Sequence, residues 1–129
     1  MIRRKLTRDW LVSQKISVSE YDVYHETEKY GLRQLHPTVS ISNKKFGNPV
    51  KYLVIGWYNR YEHKGYVFPY HRLLYAWYNN EVPEGYDVDH IDDNTFNNNL
   101  DNLQLLTHKD NMDKRKGNGH NQYNCKEVK

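Results

Sequence analysis

The chain has 129 residues, an apolar fraction of 37% and a formal net charge of +3 at pH 7. This length fits one small domain, or a compact catalytic unit with an extension, and excludes two full domains. The single cysteine, Cys125, excludes an intramolecular disulfide and a cysteine-based zinc site. No apolar run approaches the roughly 20 residues that span a bilayer, so we expect no membrane partner and a reducing, cytoplasmic location.

Residues 1–35 are predicted to form an N-terminal extension. The extension starts with a basic arm, Arg3, Arg4, Lys5 and Arg8. A short helix is predicted over residues 19–31, where the periodicity is weak. Its ends are Ser19, a typical N-cap residue, and Gly31, a typical helix stop.

Residues 36–65 are predicted to form antiparallel strands. The segment Thr38–Ser42 alternates with period two, and residues 51–58 are a run of β-branched and aromatic side chains. Turn residues separate the two runs. A third strand is predicted at 65–69, which makes the region an antiparallel β-meander.

Residues 66–116 are predicted to contain two helices and two strands. Apolar residues at helical spacing predict the first helix over residues 71–78. Strands follow at 86–91 and 103–106, and they flank an asparagine-rich loop at 94–99.

The second helix is predicted from a capping pattern. Thr107 with Asp110 three residues later is close to a capping box, so we expect a helix from His108 to about Lys116. The polar tail 117–129 is predicted to be flexible. Together these elements predict an α+β fold in which an antiparallel β-meander precedes a strand–strand–helix motif.

An acidic segment interrupts this basic protein. Between Arg72 and Lys109 there is no Lys or Arg. The segment holds seven carboxylates, Glu81, Glu84, Asp87, Asp89, Asp92, Asp93 and Asp101. Such an island favours a bound cation, with an anionic polymer held by the basic surroundings. A solvated acidic loop explains the composition about as well.

Four side chains in and after this segment suit hydrolysis of a phosphodiester. Asp89 and His90 are adjacent, and Asn102 and Asn111 follow the histidine by 12 and 21 residues. Carboxylate and amide oxygens suit Mg²⁺, which takes one or two protein ligands besides phosphate oxygens and waters. His90, on the opposite strand face from Asp89, can accept a proton near neutral pH. Asn102 can hold the loop through hydrogen bonds to the backbone.

Several residues keep fixed spacings across residues 66–116, namely His71-Arg72, Asp89-His90-Ile91-Asp92, Asn97-Asn98, Asp101-Asn102-Leu103, Thr107 and Asn111. In these residues the chain resembles the HNH endonuclease family, which has the ββα-metal fold. It is most similar to the branch found in phage and intron homing endonucleases, where the last metal ligand is Asn.

The resemblance implies roles for individual residues. Asp89 and Asn111 would bind one divalent ion per active site, and His90 would activate the attacking water. Asn102 would brace the loop. Because Asn111 stands where other members have His, the expected metal is Mg²⁺ or Mn²⁺. For His71, packing or support of the site is favoured over direct catalysis.

The resemblance also implies a double-stranded DNA partner, cleaved to 5′-phosphate and 3′-hydroxyl ends. The predicted phosphate contacts are Arg72, Lys109, Lys114, Arg115 and Lys116, although a solvated helix face explains the helical ones almost as well. Site recognition would come from the N-terminal half, including residues 36–65, or from a homodimer, or it would be weak.

Three functions are compatible with these residues. The first is a Mg²⁺-dependent HNH DNA endonuclease that nicks or cuts DNA, phage-encoded and acting in a bacterial host. The alternative is a catalytically silent DNA-binding or accessory protein of the same fold. A third is a structural protein that uses the metal loop only for stability. The endonuclease is favoured because every chemical group that cleavage requires is present in the sequence.

Overall fold

The protein is described by a computed structural model over residues 5–42 and 50–115. The predictions for Arg3, Arg4, the turn at 43–49, Lys116 and the tail lie outside the described residues.

Within the described residues the chain forms ten strands, three α-helices and one 3₁₀ turn. The strands are β1 (Leu6–Thr7), β2 (Ile16–Ser19), β3 (Asp22–Thr27), β4 (Gly31–Leu35), β5 (Thr38–Ser42), β6 (Val50–Asn59), β7 (Lys64–Pro69), β8 (Glu81–Val82), β9 (Tyr86–His90) and β10 (Leu103–Thr107). The helices are α1 (Arg8–Ser13), α2 (Tyr70–Asn79) and α3 (His108–Arg115), and the 3₁₀ turn is Leu100–Asn102. None of these helices is long and apolar enough to cross a membrane.

All strand pairs are antiparallel. Two three-stranded sheets have the orders β2-β3-β4 and β5-β6-β7, and β1-β8 and β9-β10 form two-stranded pairs. The predicted α+β class is confirmed. The second sheet is the predicted meander, and its strands follow the predicted ones within a residue or two.

The helix predicted over residues 19–31 is wrong. This segment contains the β2–β3 turn and β3, and Val18 pairs with Val23 across the hairpin. Val23 is buried in the core. Its burial stabilises the strand conformation more than the weak helical pattern of this segment stabilises a helix. Gly31 adopts a positive φ of 69° at the start of β4 and does not end a helix.

A helix that the sequence did not predict, α1, lies before this hairpin. Its N-cap is Thr7, whose hydroxyl accepts a hydrogen bond from the Trp10 backbone N–H at 3.0 Å. Behind it, Gln14 Oε1 accepts hydrogen bonds from Trp57 Nε1 at 3.3 Å and from Asn59 Nδ2 at 3.0 Å. These bonds join the end of α1 to β6.

One buried cluster draws apolar side chains from most of the chain. Leu11 of α1, Val23 of β3 and Ile55 of β6 belong to it together with Leu73 and Leu74 of α2. Burying each such side chain contributes about 1.5–3 kcal/mol. Helix α2, predicted over residues 71–78, is therefore central to the fold. The predicted domain boundaries stay a prediction, although the core extends across them.

Candidate active site

The β9–β10 hairpin is the centre of the predicted site. Asp89 pairs with Gln104 across the two strands, and side chains alternate along each strand. His90 therefore points to one face and Asp89 to the other, as the sequence predicts. The ring of His71 on α2 contacts His90 on the first face, while Lys114 on α3 contacts Asp89 on the second. The hairpin lies between the two helices.

The ring of His90 is held by a side chain that sequence reasoning missed. His90 is only 6% exposed, and its Nε2 lies 2.7 Å from Oδ1 of buried Asn98. Because an amide oxygen can only accept, Nε2 carries a proton and donates it to this bond. In the neutral ring the lone pair is then on Nδ1. The sequence signal for this contact is the position of Asn98 in the asparagine-rich loop, eight residues after His90.

His71 lies beside the predicted base. The two imidazole rings have centroids 4.3 Å apart, and His71 Nε2 lies 3.0 Å from the backbone oxygen of Val88. A carbonyl oxygen accepts, so this bond fixes the orientation of the His71 ring and ties α2 to β9. This geometry suits the supporting role, and a direct catalytic role for His71 stays a prediction.

Asn102 closes the loop that follows His90. Its backbone oxygen accepts from Ile91 N at 2.8 Å, and its Oδ1 accepts from Asp92 N at 3.1 Å. Its Nδ2 donates to Asp92 Oδ1 and to the backbone oxygen of Asn97, both at 2.9 Å. The half-buried Asn102 side chain thus joins Asp92 to Asn97, and its backbone oxygen holds Ile91, directly after His90.

The Asp92 carboxylate is the other organiser of this loop. It accepts from Asn97 Nδ2 at 3.0 Å, from Asn94 N at 2.8 Å and from Asn102 Nδ2. The hydrogen bond from Asn97, followed by the one from Asn94, lowers the pKa of Asp92 below its ordinary value. The charged form of Asp92 is therefore the form that holds the loop.

We expect Asp92 to make the protein sensitive to acid. Its folded pKa lies below the unfolded value of about 3.9, so its contribution to the free energy of unfolding is complete above that value. The contribution is lost as the pH falls through the folded pKa. In thermal melts, the stability difference between wild type and Asp92→Asn should stay constant from neutral pH to about pH 5 and shrink below about pH 4. A difference that is constant down to pH 3 would contradict this role.

On the other hairpin face, Asn111 meets Asp87 and not its predicted partner. Its Nδ2 donates to Asp87 Oδ2 at 2.9 Å, and His108 Nδ1 lies 3.0 Å from the same oxygen. Asp87 is buried and was not predicted as a site residue. The sequence signal for Asp87 is its position two residues before Asp89 on the same strand, because residues at that spacing share a strand face.

Asp89 is occupied by protein partners. Gln104 Nε2 donates to Asp89 Oδ2 at 2.8 Å, and Lys114 Nζ forms a close ion pair with the same oxygen. Since Lys114 and Asp89 are both largely buried, this pair is screened little by solvent.

Two of the predicted DNA contacts are not at the surface. Lys114 is 2% exposed, and Arg72 is 8% exposed with its Nη1 donating to the backbone oxygen of Tyr86 at 3.2 Å. Their burial contradicts a role as surface contacts to phosphate. Lys109 is exposed on α3, and its contact with phosphate stays a prediction. The Arg115 side chain and Lys116 lie outside the described part of the chain.

The predicted metal ligands Asp89 and Asn111 lie on β9 and α3, which pack against each other. Asn111 contacts β9 through its hydrogen bond to Asp87, which shares a strand face with Asp89. Within residues 5–42 and 50–115 there is no group of three or more His, Cys, Asp or Glu side chains arranged for a metal. Two oxygen ligands fit Mg²⁺, which keeps several waters, and do not fit a structural zinc site.

The chain matches a protein-family model within its C-terminal half. A family model described as HNH endonuclease matches residues 69–113. No match was found among curated proteins or among solved structures. The matched segment starts at the end of β7, contains α2 and the β9–β10 hairpin, and ends within α3. Residues 69–113 of this chain are similar to the HNH endonuclease family.

Proposed function

We propose that the protein is a Mg²⁺-dependent endonuclease that hydrolyses phosphodiester bonds in double-stranded DNA. The observation that carries this proposal is the fixed imidazole of His90 on the hairpin of the matched segment, with Asp89 on the opposite face. A cytoplasmic location and a phage origin stay predictions.

His90 is proposed as the general base. Asn98 holds its Nε2–H, so Nδ1 is the atom that accepts the proton of the attacking water. The tight packing against His71 keeps the ring in one orientation. Positioned proton transfer of this kind typically contributes about 10²- to 10⁴-fold in rate.

Asp89 and Asn111 are proposed to hold the divalent ion through oxygen atoms, with one ion per active site. When bound, this ion would neutralise charge that develops on the phosphate and the leaving oxygen. The bonds of Asn102 to the backbone and the carboxylate of Asp92 hold the loop that follows His90. The negative charge of Asp87, held by His108 and Asn111, strengthens the preference of this face for cations.

DNA contact is proposed to involve both halves of the chain. Exposed Lys109 on α3 lies near the site. In the N-terminal half, a cleft of about 330 Å³ is lined by Arg33, Arg60, Tyr30 and Tyr58, among other side chains, and the lining holds no carboxylate. Guanidinium groups and exposed aromatic rings suit phosphates and bases. A homodimer would double this surface.

The direct test uses supercoiled plasmid. We expect the wild-type protein to convert the plasmid to nicked or linear form in Mg²⁺ and to lose this activity in EDTA. Asp89→Asn and Asn111→Ala should each raise the Mg²⁺ concentration for half-maximal activity about tenfold or more. Asp101→Asn, which removes an exposed carboxylate from the same segment, is the matched control and should behave as wild type.

The catalytically silent alternative gives a different result in the same experiment. It predicts a gel shift with plasmid fragments in EDTA and no nicking in Mg²⁺ or Mn²⁺. That combination, obtained with several DNA substrates, would replace the proposed function with a DNA-binding one.

A further inference from the structure

Lys114 is a buried cation in the centre of an oxygen cage. Its side chain is 1% exposed. Its Nζ pairs with Asp89 Oδ2 and lies 3.1 Å from Asp93 Oδ1, 3.0 Å from the His90 backbone oxygen and 3.4 Å from that of Ile91. Four oxygens, two of them from carboxylates, therefore surround one ammonium group.

This cage has the chemistry of a divalent cation site. An ammonium group has three protons and one positive charge, so four acceptors and two carboxylates exceed what it can match. Carboxylate and carbonyl oxygens are also the ligands that Mg²⁺ and Ca²⁺ take in proteins. A further oxygen, Gln104 Oε1, is buried without a hydrogen-bond partner among the described residues, on the side chain that contacts Asp89.

We infer that Lys114 is a resident cation that holds Asp89 and the loop after His90 in the metal-free protein, and that a divalent ion must displace it to reach Asp89. This inference rests on the proposed function, because it takes Asp89 as a metal ligand. Lys114 thus positions Asp89 and the loop after His90. It also weakens metal binding, because it competes with the metal ion for Asp89. The flexible lysine stem on the last turn of α3 allows the exchange.

The cage also explains why a lysine is buried here. An unpaired buried ammonium would be strongly destabilising, whereas its charge is matched by Asp89 and Asp93. The bonds to the His90 and Ile91 oxygens fix the backbone beside the proposed base. In this way the loop keeps its shape before any metal ion arrives.

The test measures Mn²⁺ binding to the whole protein without DNA, by calorimetry and by the EPR signal of free Mn²⁺. Lys114→Met keeps the length of the side chain and removes its charge, and Lys109→Met removes the same charge from an exposed site on the same helix. We expect Lys114→Met to bind Mn²⁺ about tenfold more tightly than wild type, since the competing state is gone. Lys109→Met should bind within about twofold of wild type. Equal affinity of Lys114→Met and wild type, or an equal gain in Lys109→Met, overturns the inference.

A second measurement needs no variant and covers the case in which Lys114→Met does not fold. Wild-type protein is treated briefly with an amine-acetylating reagent, with and without saturating Mn²⁺, and modification is read by mass spectrometry. Displacement predicts that Mn²⁺ raises the acetylation of Lys114 severalfold relative to Lys109. Unchanged or reduced acetylation at saturating Mn²⁺ overturns it. If neither wild type nor Lys114→Met binds Mn²⁺, the proposed metal site is wrong. If both bind Mn²⁺ with equal affinity, the metal site stands and only the inference about Lys114 is wrong.

Discussion

Replacing His90 with glutamine should lower the rate of DNA cleavage by about 10²- to 10⁴-fold while the protein stays folded. Glutamine has a similar length and can still donate to Asn98 Oδ1, but it cannot accept a proton from water near neutral pH. The rate is measured under single-turnover conditions in saturating Mg²⁺, so that binding and product release do not mask the chemical step. A thermal melt checks the fold, because His90 is nearly buried.

Two further variants locate this effect at His90. His36→Ala changes an exposed histidine outside the matched segment and should leave the rate unchanged. Asn98→Ala removes the acceptor for Nε2–H and should lower the rate by less than the loss of the base itself. If His90→Gln is folded and cleaves DNA at the wild-type rate, His90 is not the general base.

Replacing Asn102 should affect both stability and activity. Asn102→Ala loses two donated bonds and the accepted bond from Asp92 N, and we expect a loss of about 1–3 kcal/mol in the free energy of unfolding. The loop after His90 would then be less well ordered. Cleavage should fall even at temperatures where the protein remains folded.

Asn102→Asp separates hydrogen bonding from side-chain size. Aspartate has the same shape and can accept from Asp92 N, but it donates nothing and sets a second carboxylate against Asp92. We therefore expect it to destabilise the protein at neutral pH at least as much as alanine does, as measured by urea unfolding. Asn99→Ala, at an exposed position in the same loop, is the control. A fully stable Asn102→Asp protein would refute this account of the loop.

The sequence predicts those elements whose periodicity is strong. The meander strands alternate clearly, and α2 has its apolar residues on one face, so both are found close to their predicted places. The segment 19–31 carries weak periodicity of both kinds, and its capping residues favoured a helix. Its strand structure depends on burial of Val23 against the core, a tertiary effect that local pattern does not contain.

The sequence names candidate site residues from their spacing, but it does not predict their partners in the fold. Which residue of α3 meets which carboxylate depends on how the helix is rotated and placed over the hairpin. Asn111 and Lys114 are three residues apart and share a helix face, so the burial of one predicts that of the other. The sequence predicts Lys114 as a phosphate contact in a basic cluster, whereas Lys114 forms a buried ion pair with Asp89.

The acidic segment has a structural explanation. Asp87 and Asp89 lie beneath α3 and are matched by His108, Asn111 and Lys114. Asp92 is bound by the amides of its own loop. Asp87 and Asp89 are therefore not part of a solvated acidic surface, whereas Asp92, Asp93 and Asp101 are exposed.

The most direct test of the central claim is a nick-resealing measurement on supercoiled plasmid, with wild type and His90→Gln side by side in Mg²⁺. We predict that wild type nicks or linearises the plasmid and that DNA ligase reseals the nicks, as 5′-phosphate and 3′-hydroxyl ends require. We predict that His90→Gln leaves the plasmid supercoiled. An absence of Mg²⁺-dependent nicking by wild type, or equal nicking by His90→Gln, would contradict the claim.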